Sequence, residues 1–179
     1  ARGGHFSFAM GVENLDKDPV GEVIAGAAYA GFDAWINHMH DTQSIDMRLA
    51  VRSAASAGRI GVAQEWAIRH NLGRNELLQG AVAAGEGAWA LKYLEPEQAT
   101  LVALSALEYR NDTVIRSVIL SGRFVYDKNT IAQACVKYKQ LRILDHLLDE
   151  GGIPLMPIIE AVCDLGDMGY VEKLRRHNK

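Results

Sequence analysis

Blocks of apolar and small residues return along this chain at nearly regular intervals. The ten residues "GAAYAGFDAW" (26–35) come back as "SAASAGRIGV" (53–62) and again as "GAVAAGEGAW" (80–89). With Gly31, Gly58 and Gly85 as anchors, three more anchors fall at Arg110, Lys139 and Gly166, at spacings of 27, 27, 25, 29 and 27 residues. Columns aligned on these anchors test the repeat. Four residues before the anchor stand Ala27, Ala54, Ala81, Ala106, Cys135 and Val162; five before stand Gly26, Ser53, Gly80, Ser105, Ala134 and Ala161, all small. Eight before stand Val23, Ala50, Leu77, Val102, Ile131 and Ile158. On the other side, the columns at +4 (Trp35 to Tyr170), +5 (Ile36 to Val171) and +8 (Met39 to Leu174) are equally free of charge.

The spacing within each copy is helical. Apolar positions at −8, −4 and −1 share one face of a helix, and those at +4, +5 and +8 share one face of a second. The residue between them suits a helix C′ position, where the backbone turns left-handed and a Cβ is penalised. Each unit is therefore predicted to be a helix, a tight turn and an antiparallel helix. Loop signals separate the units at "NLGRNE" (71–76), "LEPEQAT" (94–100) and "DEGGIPLMP" (149–157). "DKDPVGEV" (16–23) and "DTQSIDM" (41–47) read as the starts of the first and third helices. Residues 1–19 have no partner in the repeat and read as an N-terminal arm or cap on a helical repeat domain over 20–179. The order of small residues, glycine and apolar helix resembles the ankyrin repeat, most closely in "IAQACVKYKQLRILDHLLDEGG" (131–152) and "IIEAVCDLGDMGYVEKLRRH" (158–177). The units are shorter than ankyrin units. They lack the Thr-Pro-Leu-His turn and the residues of the projecting hairpin. The resemblance implies an all-α, hairpin-less, ankyrin-like solenoid of about six repeats, whose usual role is protein binding.

Composition narrows the picture. With 179 residues, 49% of them apolar, the chain can bury a core without disulfides or metal. A net charge of −3 offers no basic field for nucleic acid, and no apolar run approaches the length of a membrane span. Cys135 and Cys163 lie in apolar helical stretches and read as small buried hydrophobes of a reducing compartment. The start, "ARGGHFSFAM", lacks the apolar core of a signal peptide, so a cytoplasmic or intracellular location is expected.

Candidate chemistry is sparse. Trp35 and Trp89 share one column and Trp66 sits in another, so all three read as core rather than as a ligand box. "GAVAAGEG" (80–87) lacks the Lys-Ser/Thr of a phosphate loop and falls on a predicted helix. "HMHD" brings His38, His40 and Asp41 close in sequence, but residues two apart on a helix diverge, which disfavours a metal or acid–base site. The basic end "EKLRRHNK" (172–179) suits a helix C-terminus. The expected function is non-catalytic protein binding, with no cofactor and no metal. The contact residues expected are Phe6, Phe8 and Met10 in the N-terminal segment, together with Tyr29, Arg52, Arg59, Glu108 and Lys137 outside the core columns. Two other functions fit the same residues. One is a structural subunit of a virus or other large particle that self-associates through residues 1–19. The other is an all-α enzyme with its site near His38, His40 and Asp41.

Overall fold

The computed structural model of the protein describes residues 19–177, with side chains over 20–175. Every regular element among them is helical. Two compact units are distinguished, the first ending at Tyr93 and the second beginning at Leu94.

The first unit holds three helical hairpins. They are α1 (Pro19–Ala30) with α2 (Asp33–Gln43), α3 (Met47–Ser56) with α4 (Ile60–Arg69), and α5 (Asn75–Ala83) with α6 (Gly87–Lys92). The second unit holds three more. There a 3-10 turn at Pro96–Gln98 leads into α7 (Ala99–Glu108), and α8 (Asp112–Val114) runs on as a π-helix over Ile115–Leu120. α9 (Lys128–Lys137) pairs with α10 (Leu141–Asp149), and α11 (Leu155–Asp164) with α12 (Met168–His177). Within the first unit α3 packs on both α1 and α5; within the second α9 packs on both α7 and α11. The first helices of successive hairpins thus form the packed layer of each unit.

The anchors explain why each helix stops and reverses. All six have positive φ: Gly31 (89°), Gly58 (76°), Gly85 (85°), Arg110 (53°), Lys139 (56°) and Gly166 (75°). At five of them the next backbone N–H reaches back to the carbonyl four before the anchor. Phe32 donates to Ala27, Arg59 to Ala54, Glu86 to Ala81 and Asn111 to Ala106, each at 2.9 Å, and Gln140 donates to Cys135 at 2.7 Å. This is the Schellman closure, which satisfies carbonyls the helix would otherwise leave open. Side chains open several of the helices that follow. Asp46 Oδ1 accepts from the Arg48 N–H (2.9 Å), Asp127 Oδ1 from Asn129 and Thr130 (3.0 and 3.2 Å), and Asn111 Oδ1 from Val114 (3.3 Å).

The columns at −4 and +5 are buried in all six hairpins. The offset −1 is not: Ala30, Tyr109 and Leu165 are exposed and the others half-buried. That position lies at or next to the C-cap, where the closing turn lifts the chain off the neighbouring helix. Its place is taken by −7, buried from Ile24 to Ile159, and by −3, buried in the first five hairpins. Val23 and Trp35, in the first hairpin, are 42% and 37% exposed, although Trp35 was expected in the core. No hairpin before theirs lies among the described residues to cover them. Cys163, expected to be buried, is exposed at −3 of the last hairpin for the corresponding reason. Cys135 is buried, and burial pushes its thiol up to about 12, which leaves it unreactive.

Candidate functional site

One groove stands out in the first unit. It has a volume of about 350 Å³ and lies along α4, the turn after it, and α6. Ala67 and Leu77 are buried in its wall, Leu72, Trp89 and Tyr93 are half-buried, and Ile68 stands 73% exposed. The Trp89 and Tyr93 rings lean together with centroids 4.7 Å apart, and the Lys92 ammonium lies 5.2 Å from the Tyr93 centroid. Gln64, Asn71 and Arg74 supply polar groups, and no carboxylate lines the groove among the described residues.

The local sequence builds this shape. α4 ends in its own left-handed residue, Asn71 (φ 50°), and the Leu72 N–H closes on the Ala67 carbonyl at 2.8 Å. The turn carries Leu72 and Arg74 to the start of α5. α6 is only six residues long, with Trp89 in its first turn and Tyr93 as its C-cap. Ile68 belongs to no repeat column, and an apolar side chain there has no partner in the packed layer. It departs from the polar outer face that the columns predict for these helices.

The expected contact residues fall in different settings. Phe6, Phe8 and Met10 lie outside the described residues. Tyr29 is 59% exposed on α1, Glu108 is exposed at the end of α7 and Lys137 at the end of α9. Arg52 is half-buried on α3, where its carbonyl accepts from Ser56 Oγ at 2.6 Å. Arg59 works inside the fold. Its Nη1 donates to the Ala28 carbonyl at 2.8 Å and its Nη2 to the Asp33 carboxylate, tying the second hairpin to the first across Gly31. None of these five lines the groove.

The structure does not bring His38, His40 and Asp41 together as one site. His38 and Asp41 are exposed, while the His40 ring turns inward, its Nδ1 3.3 Å from the Ile45 carbonyl. No group of three His, Cys, Asp or Glu able to hold a metal ion occurs among the described residues. His40 instead meets His70, with ring centroids 4.2 Å apart. In the second unit Tyr170, Asp145 and Lys173 form a network. The Tyr170 hydroxyl donates to Asp145 at 2.7 Å, and Lys173 Nζ to its other oxygen at 2.6 Å. Burial, then the bond to Asp145, raises the Tyr170 pKa far above the ordinary phenol value, so it cannot serve as a base near neutral pH. The network ties α12 to α10. No helix among the described residues is long and apolar enough to cross a membrane. No protein-family model matches the chain, nor does any curated protein or any solved structure.

Proposed function

We propose that the chain is a non-catalytic protein-interaction module: an ankyrin-like stack of short helical hairpins that binds a partner protein along its second helices. The observation that carries this reading is the groove beside Trp89. It combines an exposed Ile68, two half-buried aromatic rings and polar groups without a carboxylate. Aromatic side chains with one apolar face and one wet edge are favoured at protein interfaces. The Lys92 ammonium beside Tyr93 favours a partner segment that sets an apolar side chain next to a carboxylate. The repeated Schellman closures and the stacked first helices support the solenoid reading, because such stacks present extended surfaces for binding.

The test is Ile68→Glu. The side chain is mostly solvated, so the melting midpoint of the variant should stay within about 2 °C of the parent, as expected for a surface substitution. Proteins captured by the parent chain and identified by mass spectrometry should be lost from the variant by about tenfold or more, since hot-spot truncation costs that much. Equal capture by parent and variant would remove the groove from the binding surface. A parent chain that captures nothing above a control column would count against the interaction role itself.

A further inference from the structure

We propose that the contact between His40 and His70 is a pH-sensitive latch that holds the first two hairpins together near neutral pH and releases them on acidification. The two rings come from different hairpins, thirty residues apart in sequence. His40 sits near the end of α2, and His70 is the C-cap of α4. Their centroids lie 4.2 Å apart with the rings inclined at 69°, an edge-to-face contact. His40 Nδ1 is held 3.3 Å from the Ile45 carbonyl, which fixes that nitrogen as the donor. Among the described residues His70 Nε2 is buried with no hydrogen-bond partner.

This arrangement accepts a neutral His70 ring and penalises a charged one. A proton added to His70 Nε2 meets no acceptor among the described residues. A charge on His70 would stand against the His40 ring in a contact too close for water to screen. The charged neighbours acting on His70 are His40 and Asp41 from α2 and Arg69 from its own helix. Burial, then His40, then Arg69 hold the His70 pKa below the ordinary value of 6.5, against a smaller opposing pull from Asp41. The sign follows from where the proton binds first. In the unfolded chain His70 titrates near its ordinary value, and in the folded chain it titrates lower. The stabilisation is therefore complete above pH 6.5 and is lost as the pH falls through and below that value. The turn that His70 begins carries Asn71, Leu72 and Arg74, which line the groove beside Trp89. Opening the latch would loosen that wall, whatever the groove binds.

Two measurements on the full chain decide the matter. In an NMR titration of the imidazole signals, His70 should have a midpoint below 6.5, and His40→Phe should move that midpoint upward. In thermal melts between about pH 7.5 and about pH 5.5, the parent should lose about 2–5 °C more than His70→Phe, which keeps a ring but cannot titrate. A His70 midpoint at or above 6.5, or equal acid-induced losses in the parent and His70→Phe, would overturn the latch. If His70→Phe does not fold, the titration of the parent chain decides alone.

Discussion

Gly80→Ala should destabilise the protein by about 1–3 kcal/mol or more, while Gly26→Ala should stabilise it by about 0.5–1 kcal/mol. Both glycines occupy offset −5 of their hairpins, inside α5 and α1. The intrinsic helix preference favours alanine equally at each. Their surroundings differ. A Cβ on Gly80 would sit 2.5 Å from Ala55 Cβ and 2.5 Å from the Arg52 carbonyl oxygen, with the Ser56 nitrogen at 3.0 Å. Two of those three atoms are backbone, so α3 and α5 would have to separate along their contact. Among the described residues, a Cβ on Gly26 meets nothing within 4 Å. Urea denaturation of the two variants beside the parent chain reads both signs in one experiment. Changes of the same sign and size would mean that the two positions are not different in packing.

Leu147→Ala should cost about 2–5 kcal/mol and Trp66→Ala about 3–5 kcal/mol. Leu147 is fully buried in α10 and Trp66 is 2% exposed in α4, both at offset +8. Removing either leaves a cavity that rigid neighbouring helices fill only in part. The measurement is the denaturation midpoint at constant slope, which separates lost stability from altered compactness. An unchanged midpoint in both variants would mean that the second helices do not face the core as described.

Much of the all-helical architecture could be read from the chain, because glycine and alanine leave a positional record. Gly31, Gly58 and Gly85 announce left-handed turns directly. Arg110 and Lys139 announce nothing themselves; only the columns around them place the turn, and the positive φ there bears the spacing out. The inward face was harder to choose. With alanine at Ala27, Ala28 and Ala30, a helical period allows −8, −4, −1 as well as −8, −7, −4, −3. The choice depends on which side meets the neighbouring helix, and a single hairpin's sequence does not carry that information. The groove was less legible still. Ile68 falls outside every column, and its partners come from two other stretches, Leu72 from the turn after α4 and Trp89 and Tyr93 from α6. A mismatch between an apolar residue and a polar face was the one available signal. The His40–His70 contact left none, since the two residues occupy unrelated positions of the repeat, +9 and +12.

The packing of each first helix on the first helix of the next hairpin bears on how the chain folds. The pairs α1 with α3, α3 with α5, α7 with α9 and α9 with α11 join residues roughly one repeat apart in sequence. Nothing in these contacts requires a long loop to close before the interaction is rewarded. Chains whose contacts are this local search little conformational space and fold fast for their length. Within each compact unit, the contacts between first helices thus join segments that are near in sequence.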